Sequence, residues 1–156
     1  MNQELQDALA PVVEFLDGLD PADAEAAQSL NKKFPVDGDA MRTLAQLFAK
    51  GVEDSSLCDR EGGPGVTYSR VGKAIGKSEF TIDAVRMDRP GPGHAHPKGE
   101  FDVCFVAEGE PLFDDQAPGW TVYGPDTWHV PTVSGGTMNI LYFLPGGAIK
   151  FGPKPE

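Results

Sequence analysis

At 156 residues the chain is one domain's worth, long enough to bury most of the apolar surface it would expose unfolded. A net charge of −11 argues against a nucleic-acid partner, which needs clustered Lys and Arg, and no apolar run approaches the roughly 18 residues of a membrane span. The acidic start M-N-Q-E-L-Q-D lacks the basic-then-apolar order of a secretory signal, and Cys58 and Cys104 sit in contexts too different for a disulfide framework, so a cytoplasmic protein is expected.

Helical periodicity dominates the first third. Leu5, Leu9, Val12, Val13 and Leu16 recur at helical spacing and stop near Gly18. Asp20-Pro21 offers an N-cap and a first-position proline, which predicts a second helix through Leu30. Asp37 or Asp39 is expected to cap a third, with Met41, Leu44, Leu47 and Phe48 as its apolar face and Gly51 as its stop. These stripes read as packing surfaces against a barrel or a partner subunit, without chemistry of their own. Residues 1–54 are thus expected to form a helical segment. Residues 55–65 read as a linker in which Cys58 is an exposed bystander, and residues 66–156 as a β-barrel domain.

Only three of the 19 glycines and three of the 14 prolines precede residue 61; the rest punctuate short β-branched and aromatic runs, the pattern of many tight strand connections. Phe80, Ile82 and Ala84 alternate with Thr81, Asp83 and Val85 in a run that ends at Pro90. Phe101–Ala107 alternates less cleanly, as in a strand covered on both faces. Trp120–Tyr123, Trp128–Val133 and Met138–Leu144 follow, with turns expected at Gly124-Pro125, Gly135-Gly136 and Gly146-Gly147. Eight or so short strands predict a mainly β fold, a small antiparallel barrel or jelly roll whose interior can hold a ligand.

The chain's three histidines all fall in one pattern, His94-x-His96, Glu100 and, further on, His129. An extended segment turns both members of H-x-H to one face, and Glu100 shares their parity. Imidazole and carboxylate are the ligand types of a borderline divalent ion such as Fe(II), Mn(II), Ni(II) or Zn(II), so His94, His96, Glu100 and His129 are the expected metal ligands. Four protein ligands close a tetrahedral zinc site, whereas an octahedral ion keeps two positions open for water, substrate or dioxygen. The blander alternative is a barrel that keeps these side chains without binding a metal tightly. Cys104 also shares Glu100's parity, and reads either as a cavity residue or as a buried small hydrophobe. Glu108 and Glu110 read as solvated charges in a turn. Of Trp120, Tyr123, Trp128, Tyr142 and Phe143, about half should point inward, with Trp128 opposed to its neighbour His129. The acidic field repels anions at long range, so an anionic substrate would need a local cation, for which Arg70 and Arg86 are the candidates.

The run G-P-G-H-A-H-P-K-G-E-F-D-V-C-F-V-A-E-G, with G-P-D-T-W-H-V-P and Asn139 after it, resembles the two-part signature of the cupin superfamily over residues 66–151. Gly109 comes two residues later than usual. The second part, read as Pro125, Thr127, His129 and Asn139, has Thr where Gly is usual, shifts the Pro-to-His spacing by one and sets the Asn far from the His. Most of the chain, around H-A-H-P-K-G-E-F-D-V and P-D-T-W-H-V-P, is similar to the 4-hydroxylaminobenzoate lyase family of nitroaromatic catabolism. That resemblance implies a metal-dependent carbon–nitrogen lyase forming 3,4-dihydroxybenzoate and ammonia from a small aromatic substrate, with Glu100 and His96 as catalytic candidates. Cupins commonly pair, which together with the apolar leader implies a homodimer. An Fe(II) dioxygenase and a non-catalytic sensor or binding module are the alternatives, since the superfamily serves all three roles.

Overall fold

Glycine-punctuated strands in the second half wind into two facing sheets. The structure, a computed structural model, describes residues 2–155. Among these, three helices, α1 (Gln3–Asp17), α2 (Ala26–Lys33) and α3 (Asp39–Glu53), precede nine strands. The strands are β1 (Arg60–Glu61), β2 (Val66–Ile75), β3 (Phe80–Met87), β4 (His94–His96), β5 (Glu100–Phe113), β6 (Gly119–Tyr123), β7 (Thr127–His129), β8 (Val133–Leu144) and β9 (Lys150–Phe151). One antiparallel sheet has the order β1-β2-β3-β8-β5-β6 and the other the order β7-β4-β9. From β3 onward the chain passes back and forth between the sheets, the winding of a jelly roll. The fold is mainly β with a helical leader, as the sequence predicts. No helix among the described residues is long and apolar enough to cross a membrane.

Strand parity divides the larger sheet into two faces and gives each its own core. On the outer face Ile82, Phe101, Val103, Phe105, Leu141 and Phe143 meet the stripes of all three helices in one apolar layer. On the inner face Val85, Met87, Cys104, Met138, Ile140 and Tyr142 point between the sheets with Phe113 and Val133. β5 and β8 are therefore covered on both sides, which explains why Phe101–Ala107 lacks clean alternation. The helical stripes find cover on the sheet of the same chain.

The leader is tied to the barrel by hydrogen bonds as well as by burial. Asn31 on α2 docks its amide on the edge strand β6, where Oδ1 accepts from the Trp120 N–H at 2.9 Å and Nδ2 donates to the Trp120 carbonyl at 3.3 Å. This side chain satisfies backbone groups that an edge strand would leave open. Trp120 Nε1 in turn donates to the Phe34 carbonyl at 3.1 Å.

Several local expectations are corrected. The second helix begins at Ala26 rather than Pro21, because Asp20 Oδ1 accepts from the Ala22 N–H and Asp23 Oδ1 from the Glu25 N–H, local turns that compete with helix. The third helix is capped by Gly38, with Asp39 as its first residue and Asp37 outside it. Gly51 does not stop that helix, which runs to Glu53. Its bare Cα lets Leu57 pack close, since a Cβ there would lie 2.6 Å from Leu57 side-chain atoms. Cys58 is buried rather than exposed, and burial pushes its thiol up to about 11. β1 takes Arg60 and Glu61 out of the expected linker into the sheet. Gly135 and Gly136 form no turn but lie within β8, where it crosses an irregular stretch of β5 around Gly109. Glu108 and Glu110 are likewise strand residues, although exposed as expected.

Candidate metal centre

Three short backbone segments bring the chemistry together. His94 and His96 lie on β4, and His94 pairs directly with His129 on β7. Glu100 is not on the same strand as the H-x-H pair. Gly99, at φ +88, makes a turn in which its N–H donates to the His96 carbonyl at 3.1 Å, and Glu100 then opens β5 in the facing sheet. It reaches the histidines from across the barrel, so matching parity gave the right neighbour by the wrong route. A Cβ at Gly99 would also meet Pro21 at 2.7 Å.

The four side chains converge. His94 Nε2 lies 3.2 Å from Glu100 Oε1, and His96 Nε2 and His129 Nε2 lie 3.1 and 3.4 Å from Glu100 Oε2. One potential ligand atom from each falls within 4.8 Å of every other. His94, His96 and Glu100 are buried, and His129 is 13% exposed at its side chain.

The other ring nitrogens fix the tautomers. His94 Nδ1 faces the Pro92 carbonyl at 3.3 Å, an acceptor only, so Nδ1 carries the proton. The Thr127 hydroxyl donates to the Gly124 carbonyl at 2.6 Å and so accepts from His96 Nδ1–H at 3.0 Å. His129 Nδ1–H donates to Asp114 Oδ2 at 2.6 Å. Each histidine in its neutral form thus presents an Nε2 lone pair toward Glu100. Lone pairs and a carboxylate at these distances repel unless a cation lies among them, and a ring-nitrogen hydrogen bond on the far side is how proteins orient metal-ligating imidazoles. His96 Nε2, His129 Nε2 and Glu100 Oε2 are buried without a hydrogen-bond partner, the orphaned atoms that an ion would satisfy. The residues fit a divalent metal of the Fe, Mn, Ni or Zn type.

Electrostatics agree with the geometry. Burial works to raise the Glu100 carboxyl, but the imidazoles of His129, His94 and His96 packed around it outweigh burial and hold the group well below the usual range. Burial opposes charge on His129 too, yet Asp114 and Glu100 raise it to about 9.

Two carboxyls and a phenol complete the surroundings, and sequence reasoning had passed over both carboxyls. Asp114 Oδ2 accepts from the Tyr123 hydroxyl at 2.5 Å as well as from His129, while its Oδ1 accepts from the Thr132 N–H at 2.8 Å. Tyr123 stacks on His96 with ring centroids 5.4 Å apart. Asp102, one pleat beyond Glu100 on β5, is fully buried with both oxygens unpartnered, opposite Thr121, whose hydroxyl is also unpartnered. Burial, followed by the charge of Glu100, pushes the Asp102 carboxyl well above its ordinary range. An aspartate amid F-D-V-C-F-V, two residues from a metal-ligand candidate, was the available signal. Asp114, in a turn far along the chain, gave none. Cys104 packs in the inner core, and burial pushes its thiol well up, so it behaves as a small hydrophobe. Asn139 has the opposite parity from Tyr142 and turns away from the centre, accepting from Arg86 Nη1 at 3.1 Å.

A cavity of about 680 Å³ adjoins the cluster, with His94 and Tyr142 in its wall. Val66, Val85, Met87, Pro131 and Phe151 make most of its surface apolar. Of the aromatic residues singled out from the sequence, Tyr142 lines this cavity and Tyr123 borders the histidines. Trp120 and Phe143 belong to the outer layer. Trp128 does point away from His129, its Nε1 donating to the Gly152 carbonyl at 3.0 Å.

Fold and site together define a small jelly-roll protein with a buried three-His, one-Glu cluster that could hold a metal ion. The chain belongs to the 4-hydroxylaminobenzoate lyase family, whose model matches residues 7–151. It is 30% identical to a 4-hydroxylaminobenzoate lyase of Nocardioides sp. (strain LMS-CY), covering 98% of this chain and 96% of the relative. It is 28% identical to another enzyme of that name from Pseudomonas putida, covering 83% and 84%. Among solved structures, an RmlC-like cupin protein from Ralstonia eutropha is similar at 12% identity with a TM-score of 0.43, covering 59% of this chain and 62%, less than two thirds, of that one.

Proposed function

We propose that the protein is a divalent-metal-dependent lyase that converts 4-hydroxylaminobenzoate and water into 3,4-dihydroxybenzoate and ammonia. The observation that carries this reading is the set of three imidazole Nε2 atoms turned on Glu100 beside a largely apolar cavity, in a chain of this family. In the net reaction the N–O bond breaks with its oxygen leaving as water. The ring carbon next to the C–N carbon gains an oxygen from water, and the resulting imine hydrolyses to release ammonia. An ion held by His94, His96, Glu100 and His129 supplies Lewis acidity toward an oxygen of substrate or water.

The chain's own groups have distinct tasks. The cavity's apolar walls accept an aromatic ring and exclude bulk water from it. Asp114 and Thr127 hold His129 and His96 in the tautomer with Nε2 toward the reacting centre. Glu100 is kept ionised and serves first as a ligand. Its Oε2 is the best placed proton acceptor for the water that adds, and His96 beside it shares that catalytic position. A homodimer is proposed on family habit alone, and sedimentation velocity reads it directly.

The test is anaerobic incubation of protein purified without a nickel column. Wild type is expected to yield ammonia and 3,4-dihydroxybenzoate in equal amounts. Turnover that requires dioxygen would point to the dioxygenase alternative, and binding without turnover to a sensor.

A further inference from the structure

The inner face of the larger sheet carries a row of side chains that leads from the cluster to a pair of cations. Cross-strand pairing aligns Asp102 with Tyr142, Tyr142 with Asp83, and Asp83 with Arg70. Tyr142 stands at the cluster end, its ring 6.3 Å from that of His94. Arg70 lies two strands further on, roughly 10 Å away at the spacing of neighbouring strands. Arg70, Asp83, Tyr142 and His94 all line the same cavity.

Arg70 is only partly engaged. Its Nε meets Asp83 Oδ1 at 3.1 Å, and its side chain is 57% exposed, so the terminal nitrogens are left for another anion. Arg60 also lines the cavity and has no ion-pair partner among the described residues. It stands opposite Tyr68 on β2, and Arg70 is the next residue but one on that strand. Such diagonal neighbours lie about 7–8 Å apart, within reach of two long side chains converging on one group. Two arginines against one aspartate leave this end of the cavity net positive, in a chain whose overall charge is −11. Arg86, the other candidate from the sequence, is spent elsewhere: it binds Asn139 at 3.1 Å, lies 3.7 Å from Glu108 and does not line this cavity.

We propose that Arg70, assisted by Arg60, is the carboxylate anchor of this cavity and selects aromatic acids whose reacting substituent lies opposite the carboxylate. The inference rests on the lyase reading for the identity of that substituent. A planar guanidinium binds a carboxylate through two parallel hydrogen bonds, which fixes direction as well as position. Anchored there, the ring runs along the apolar walls toward Tyr142 and His94 and presents its far end to the cluster.

Calorimetric binding of benzoate and of neutral benzamide, which needs no turnover, tests the anchor. Wild type is expected to bind benzoate in preference to benzamide. Arg70→Ala should weaken benzoate by about 10- to 100-fold, the range for a lost charge-assisted bond, with Arg70→Lys intermediate and Arg86→Ala without effect. In turnover, Arg70→Ala should raise KM for 4-hydroxylaminobenzoate and narrow its preference over phenylhydroxylamine by the same factor. Unchanged benzoate binding in folded Arg70→Ala, or loss of binding in Arg86→Ala, overturns the anchor and leaves the lyase reading standing. Arg70-dependent benzoate binding in a wild type that fails to turn over the hydroxylamine has the reverse meaning.

Discussion

Asp114 decides how His129 behaves. By accepting from Nδ1 it commits Nε2 to the cluster, and by accepting from Tyr123 it is itself held in place. Asp114→Asn removes the charge and half the acceptor capacity, and loss of such an orienting partner typically weakens metal binding by about 10- to 100-fold. Competition with a chromogenic chelator measures this; affinity equal to wild type would mean that His129 needs no orientation. The same contact makes binding pH-dependent. His129 is raised from 6.5 to about 9 in the metal-free protein, so the stability it contributes is full below the unfolded value and is lost as pH rises through about 9. A metal needs the neutral ring, so at pH 7.5 binding should release about one proton, and affinity should climb toward pH 9. Calorimetry in two buffers of different ionisation enthalpy counts that proton, and heats independent of buffer would contradict the assignment.

At the scale of elements, α1 is locked to the β2–β3 turn by one residue and one glycine. Asp17 Oδ2 and Oδ1 accept from the backbone N–H groups of Lys77 and Ser78 at 3.0 and 2.8 Å. Gly76 stands beside them at φ +75, where a Cβ would sit 2.5 Å from Val13 Cγ1 and 2.7 Å from Asp17 Oδ2. Gly76→Ala should cost about 2–4 kcal/mol, combining left-handed strain with weakened hydrogen bonds, and a urea midpoint reads it. A loss below about 0.5 kcal/mol would place it among ordinary surface changes. Much of the element pattern was legible in the sequence, because α1, α3 and β3 carry a single dominant period. What failed did so for local reasons: Asp20 and Asp23 spend their carboxylates on turns instead of capping a helix, and Gly51 and Gly136 serve close approach, which looks the same in sequence as a stop. In the site, H-x-H was legible because β4 is regular. Asp114 was not, because its partner His129 is brought to it only by tertiary folding.

For the whole molecule, the helices and the barrel share one outer core in which Phe48, Phe80, Phe101 and Phe143 are all buried. Removing residues 1–54 would bare that face of the sheet, an apolar patch of the kind that drives association. The truncated chain should aggregate on expression; a soluble, folded barrel seen by size exclusion and near-UV circular dichroism would show that the leader has another purpose. The leader also grips the strand that carries Tyr123, where Asn31 and Phe34 accept from Trp120.

The central claim is that His94, His96, Glu100 and His129 form a metal centre on which activity depends. Chelator-stripped protein titrated with each candidate divalent ion, under anaerobic conditions and with ammonia release as the readout, tests it most directly. Activity should be absent at the start, rise linearly and plateau near one ion per chain for at least one metal. Full activity in the stripped protein, with no response to any ion, would contradict the account.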